Sequence, residues 1–557
     1  MKAIYFSLTL IIAASCLSLK RDDSYQKGMV VSAHPQASLT GLNILKKGGN
    51  AIDAAVAVQF ALAVVYPNAG NIGGGGFLVY RSSKGEINAL DYREKAPGLA
   101  KENMYLDRNG NVVKERSLYG HLAAGVPGTV DGMANAHKKY GKLSWEEVIE
   151  PAIKLAEKGF KLTSMQAQEL NAHKDDFIKF NPDGTAFIKS SGNWKSGELL
   201  VQAELANTLK LIKTKGRDGF YQGEVAKYIT EEMKKGRGLI TEKDLSEYQS
   251  VWRKPITGHY KNYKIITMPP PSSGGIALVQ LLQSVQPYPL KRWGFNTDST
   301  VQLIVEAERR VYADRAIYMG DPDFVKVPTN LLLRPSYQKA RLSSFSWNEA
   351  TPSSEVNTGV LSEKESEETT HFSIVDSEGN AVSVTTTLNG SYGSLVVVQK
   401  AGFILNNEMD DFSVKPGSPN MYGLVGGEAN SIKPGKRMLS SMTPTILEKD
   451  NELFMVVGTP GGSTIITSVF QTILNVIEFD KPIQNAVSSK RFHHQWLPDV
   501  IYIEKGALDS VTITNLQKKG YKFIPRPPIG RVDAILKTER GYQGGADPRG
   551  DDISMGW

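Results

Sequence analysis

The chain has 557 residues and a single cysteine, Cys16, so it can form no internal disulfide and no cysteine-ligated metal cluster. It contains no Gly-x-Ser-x-Gly elbow and no His-Glu-x-x-His pair, which removes the common serine-hydrolase and zinc-protease signatures. The eight histidines are scattered. His493 and His494 are adjacent, and neighbouring side chains diverge on any regular element, so the pair does not predict a metal site. Lys+Arg 65 against Asp+Glu 58 gives a formal charge of +7, well mixed along the chain. Without clustered basic residues there is no nucleic-acid footprint. Hydrophobic residues at 41% and charged residues at 22% describe an ordinary globular protein rather than a disordered or membrane-bundle chain.

At the N-terminus Lys2 precedes an uncharged, mostly apolar run over 3–19, followed by Lys20-Arg21-Asp22-Asp23. A basic start, a short apolar centre and the small residues Ala13-Ala14-Ser15 predict an export signal over residues 1–19, the competing reading being a buried N-terminal helix. The small residues run directly into Cys16, which resembles a bacterial lipoprotein signal, although Ala13 stands where such signals more often carry leucine. In that case Cys16 would carry a lipid anchor at the cell envelope; otherwise the product is periplasmic.

Downstream, residues 29–33 predict a strand and 37–47 a helix closed by Gly48-Gly49. Residues 51–65 are almost wholly apolar, too short to span a bilayer, and predict a buried helix. Gly73-Gly74-Gly75-Gly76 precedes a β-rich run over 77–81 and lacks the Gly-Lys-Ser/Thr of a phosphate loop, so it predicts a closely packed turn. Helical spacing dominates 144–235, and two further helices are predicted over 276–285 and 301–318. Residues 343–368 are rich in Ser, Glu, Thr and Asn and predict an exposed, flexible linker. Alternation over 371–376, a Gly379-Asn380 turn and alternation over 381–388 then predict a β-hairpin.

Thr369-Thr370-His371 stands where that linker meets the hairpin. A threonine hydroxyl is a weak nucleophile without an adjacent base. A cut before Thr369 would free its α-amino group, whose ordinary pKa of about 8 leaves part of it neutral and able to take the hydroxyl proton. On residue types alone, plain β propensity is the ordinary explanation of the threonines.

The run Thr369-Thr370-His371-Phe372-Ser373-Ile374-Val375-Asp376 resembles the start of the small subunit of γ-glutamyltranspeptidases, a family of N-terminal-nucleophile hydrolases. The resemblance extends over nearly the whole chain. It takes in Asp91-Tyr92-Arg93-Glu94, Gly125-Val126-Pro127-Gly128, the stretch 269–275 and Tyr312-Ala313-Asp314-Arg315. Further on come Asn406-Asn407-Glu408-Met409-Asp410-Asp411, Leu439-Ser440-Ser441-Met442 and Thr459-Pro460-Gly461-Gly462-Ser463. It implies an α+β fold, a four-layer αββα sandwich, made as one precursor and cut into a large subunit (24–368) and a small subunit (369–557) that stay interlocked.

The resemblance also implies roles. Thr369 would be the nucleophile, Thr387 would hydrogen-bond its hydroxyl, and the N–H groups of Gly461 and Gly462 would form the oxyanion hole. The donor, a γ-glutamyl compound such as glutathione, carries an α-carboxylate and an α-ammonium. Arg93, Ser440 and Ser441 would bind the first; Asn389, Glu408 and Asp411 the second. Tyr422 matches the gating residue of a lid loop found in some members. Acceptors would be water, an amino acid or a dipeptide, and no metal or organic cofactor is implied. The competing readings are a surface ion pair of Arg93 with Asp91 or Glu94, a solvated acidic turn at 408–411, and ordinary turn chemistry for Asn389, Ser440 and Ser441. At the level of function, the alternatives are a glutaryl or cephalosporin-type acylase and an inactive homologue acting as a surface protein.

Overall fold

The computed structural model describes residues 24–356, 369–415, 417–418, 420–421, 424 and 426–557. The export signal with Cys16, residues 357–368 and Tyr422 therefore lie outside the described residues. Among those described, no helix is long and apolar enough to cross a membrane.

Two antiparallel sheets form the centre. Their strands in chain order are β1 (Met29–Ser32), β2 (Gly75–Arg81), β3 (Ile87–Asp91), β4 (Val251–Arg253), β5 (Ile256–Tyr260), β6 (Tyr263–Thr267), β7 (Thr370–Val375), β8 (Ala381–Thr387), β9 (Thr445–Lys449), β10 (Glu452–Gly458), β11 (Asp533–Thr538), β12 (Gly541–Gly545) and β13 (Ile553–Gly556). The first sheet runs β13-β1-β7-β8-β2-β3-β4 and the second β12-β11-β10-β9-β6-β5. Each contains strands from before and after residue 369, so the two halves of the chain share both hydrogen-bonded ladders.

Alternation along the strands builds three apolar layers, because successive side chains point to opposite faces. In the first sheet Met29, Val31, Phe77 and Val79 face Ile446, Val456 and Ile535 of the second sheet. On the opposite side of the first sheet, Val30, Leu78, Ile374, Val382 and Val384 pack with α1 (Pro35–Lys46) and α2 (Ala51–Val65). On the far side of the second sheet, Ile265, Leu447, Met455 and Val457 pack with α3 (Gly274–Val285), α4 (Asp298–Tyr318) and α5 (Ile465–Ile477). The result is the expected αββα sandwich. Each fully buried Val, Leu or Ile contributes about 1.5–3 kcal/mol, so these layers dominate the stability.

The elements follow local rules. Every residue of α2 is buried, and its two polar interruptions have partners. Asp53 completes a capping box with Asn50, while Gln59 donates to the Asn71 carbonyl at 3.0 Å. The four glycines pack as predicted: a Cβ on Gly73 would lie 2.1 Å from the Ile404 carbonyl oxygen, and one on Gly74 2.1 Å from that of Thr387. The 144–235 region is mostly helical, interrupted by two short paired strands, Phe160–Lys161 and Leu199–Leu200, and by the irregular stretch 181–198. The linker expectation needs correcting over 351–356. Thr351, Ser353 and Val356 are buried. Arg309 contacts Ser353, whose N–H donates to Asp499 at 2.8 Å, and Trp496 donates to its carbonyl at 2.9 Å. Small polar residues read as exposed because composition does not reveal such anchoring.

Candidate active site

The hairpin of β7 and β8 sets the reacting end. Its register pairs Thr370 with Thr386, and one step further sets Thr369 opposite Thr387. Thr369 is 4% exposed and lines a small cavity of about 20 Å³. Thr387 accepts from the Asn389 N–H at 2.7 Å, and Asn389 holds a left-handed φ of 76°, which asparagine tolerates better than most residues. Below Thr369, His371 is fully buried between Thr385 (2.9 Å) and Ser373 (3.1 Å). Desolvation pulls its pKa down to about 3, so the ring is neutral and braces the hairpin.

The chain leaves β10 through Thr459-Pro460-Gly461-Gly462 and turns into α5. Both glycines have positive φ, 132° and 51°, values that side-chain-bearing residues rarely adopt. Gly462 lines the cavity; Gly461 sits one residue behind it. The loop is pinned by Thr464, whose hydroxyl donates to the Gly461 carbonyl at 2.8 Å, and by Tyr312 of α4, whose hydroxyl donates to the Ser463 carbonyl.

The other end of the cavity is charged. Arg93, only 1% exposed, lies 2.6 Å from Glu408 and 3.5 Å from Glu94, and it pairs with Asp411. Its Nε and Nη2 also donate to the carbonyls of Met438 and Leu439. A surface ion pair is thereby excluded; the contact with Glu94 is real but buried. Glu408 is fully buried in a short 3₁₀ turn, Glu408–Asp411, which is not a solvated acidic turn. Three carboxyl groups thus meet one guanidinium. Burial pushes all three upward, Glu94 to about 8, with Arg93 offsetting part of the effect. Burial alone would lower the pKa of Arg93, but the charges of Glu408, Glu94 and Asp411 overcome it and keep the guanidinium charged.

Ser440 and Ser441 hang between the two halves of the chain. Ser273 donates through both its N–H (2.8 Å) and its hydroxyl (2.7 Å) to the Ser440 carbonyl, and Ser272 donates to that of Met442 at 2.6 Å. The proline-rich 269–275 segment is therefore the clamp for the serine pair.

Arg93, Thr369, Thr387, Asn389, Asp411, Ser440, Ser441 and Gly462 all line this one cavity, with Glu408 directly behind Arg93. Arg315, which sequence reasoning passed over, lines it too. Its motif was visible, yet nothing in the sequence says which face of a long, buried helix looks into a site. His493 and His494 point to different partners, Thr467 and Asp499.

The chain is similar to known proteins in both sequence and fold. A family model described as Gamma-glutamyltranspeptidase matches residues 37–557. The chain is 46% identical over 535 residues to the glutathione hydrolase proenzyme of Escherichia coli (strain K12), covering 96% of this chain and 92% of that one. A crystal structure of Helicobacter pylori gamma-glutamyltranspeptidase is 49% identical with a TM-score of 0.58, covering 58% of this chain and 94% of that one. The crystal structure of cephalosporin acylase from Bacillus halodurans superposes with a TM-score of 0.84 at 26% identity, covering 100% and 98%.

Proposed function

The chain belongs to the gamma-glutamyltranspeptidase family, and from that premise we propose that it matures by cutting itself between Glu368 and Thr369 and then transfers or hydrolyses γ-glutamyl groups. The observation that carries the reading is the single cavity in which Thr369, the Gly461-Gly462 turn and a cluster of opposite charges meet.

In this scheme the freed α-amine of Thr369 takes the proton from the threonine hydroxyl as its oxygen attacks the γ-amide carbon of the donor. Thr387 orients that hydroxyl, and the N–H groups of Gly461 and Gly462 stabilise the oxyanion. The amine returns the proton to the leaving nitrogen, and a γ-glutamyl ester remains on Thr369. Water, an amino acid or a dipeptide then attacks the ester by the same proton path. The α-ammonium of the donor would be held by Glu408 and Asp411 with Asn389, and its α-carboxylate by Ser440 and Ser441 with Arg93. As the ammonium takes over the two acids, an edge of Arg93 is released towards the carboxylate. Tyr422 would close the site as a lid residue.

Glutathione is the donor we favour, as the name of the Escherichia coli relative suggests. The export signal over 1–19 would deliver the enzyme to the periplasm or, through a lipidated Cys16, to the envelope membrane. A cephalosporin-type acylase is the second reading, favoured by the similarity of fold. The buried Glu408 and the half-buried Asp411 oppose it, because a glutaryl group has no ammonium to engage them. Assay of the purified protein on γ-glutamyl and glutaryl anilides separates the two. Faster release from the γ-glutamyl donor is expected; a preference for glutaryl, or no release from either, would overturn the reading.

A further inference from the structure

Two arginines reach the cavity, and their surroundings are opposite. Arg93 is in contact with three carboxyl groups and two carbonyls, so its charge is already answered. Arg315 reaches the cavity from α4 and is 5% exposed. Its Nε donates to the Ser273 hydroxyl at 2.9 Å and its Nη2 to the Ser441 hydroxyl at 3.1 Å. Among the described residues no carboxylate lies within ion-pair distance of it, and its Nη1 makes no hydrogen bond. Burial draws its pKa down to about 10, with Asp411 offsetting part of the loss.

A buried cation without a counter-charge is costly to keep, and an anion arriving beside it restores the balance. The cavity is lined by both Arg315 and the residue whose hydroxyl it already holds, Ser441, so an anion bound there would meet the two together. Arg315 also lies one helical turn from Tyr312, which pins the turn after Gly462, so one face of α4 fixes both loops that a donor must touch.

We propose that Arg315 is a specificity-determining residue, the cation that selects donors carrying an α-carboxylate, acting directly and through Ser441. The inference rests on the γ-glutamyl reading above and deepens it. It differs from the sequence expectation, in which Arg93 is the carboxylate's only charged partner.

Three anilides test it with the mature protein: γ-glutamyl, glutaryl (carboxylate kept, ammonium absent) and 4-aminobutyryl (ammonium kept, carboxylate absent). With Arg315→Met, kcat/KM should fall about 10- to 100-fold for the two carboxylate-bearing donors and less than about threefold for the 4-aminobutyryl donor. Arg315→Lys should recover part of the loss on the same two donors, and it stands in for the methionine variant should that chain fail to mature. An equal fall on all three donors would mean that Arg315 only supports the scaffold, and no fall on any would mean it is idle; either result overturns the proposal. A wild-type preference for glutaryl over γ-glutamyl anilide would instead sink the functional reading, while the Arg315 comparison on glutaryl anilide would still decide whether this arginine holds a carboxylate.

Discussion

The two ends of the cavity are built in different ways. The reacting end is uncharged and rests on regular structure: a strand register that sets Thr369 against Thr387, and a turn whose two glycines hold positive φ. The recognition end is charged and rests mostly on loops, with Arg93 and the α4 residue Arg315 from the first 368 residues meeting Glu408, Asp411, Ser440 and Ser441 from the rest. The contrast teaches that chemistry here depends on where the backbone lies, whereas selectivity depends on buried charges that lack full compensation. Substitutions at the first end should therefore act on all donors alike, and those at the second should act by donor type.

The largest effect is expected from Thr369→Ala, which removes the attacking oxygen. A denaturing gel should show one unsplit chain, and anilide release should drop on the order of 10⁴-fold or more. Residual turnover near the wild-type level would break the contrast at its reacting end. Next comes Asp411→Asn, which loses a charge-assisted contact with the donor ammonium. We expect kcat/KM for γ-glutamyl anilide to fall about 10- to 100-fold, with glutaryl anilide little changed. Ser441→Ala removes one hydroxyl from the carboxylate side and should cost about 3- to 10-fold, mostly in KM.

The smallest effect at neutral pH is expected from Glu94→Gln, which mimics the protonated carboxyl. A carboxyl raised by burial from 4.5 to about 8 keeps its proton in the fold. Its contribution to stability is therefore full below the unfolded value near 4.5 and is lost as pH climbs through about 8. Urea titrations across pH 6–9.5 should show wild-type stability declining up to about pH 8 and levelling above it, with a flatter profile for the variant. Parallel profiles would remove Glu94 from the charged cluster.

These same contrasts explain what could be read from the sequence. The reacting end was legible because hairpins announce themselves: alternation and a Gly-Asn turn place β7 and β8 within a residue or two of their observed bounds. The all-buried α2 was equally plain from its uninterrupted apolar run. The recognition end was legible only through family motifs. Nothing local in Asp91-Tyr92-Arg93-Glu94 says that Arg93 meets Glu408 and Asp411 more than 300 residues away, or that Glu94 joins them in the interior. Arg315 stayed silent for the same reason, since a single arginine on a helix reads as a solvated charge until packing shows its side buried. The stretch before residue 357 misled because Ser and Thr satisfied by Arg309, Asp499 and Glu306 look, in composition alone, like any exposed linker.

The account stands on a free α-amine at Thr369, and intact-mass analysis with N-terminal sequencing of the active wild-type protein tests it most directly. Two polypeptides are predicted, the smaller comprising the 189 residues that begin Thr369-Thr370-His371 and end at Trp557. A preparation that releases glutamate from a γ-glutamyl donor while every molecule retains the Glu368–Thr369 bond would contradict it.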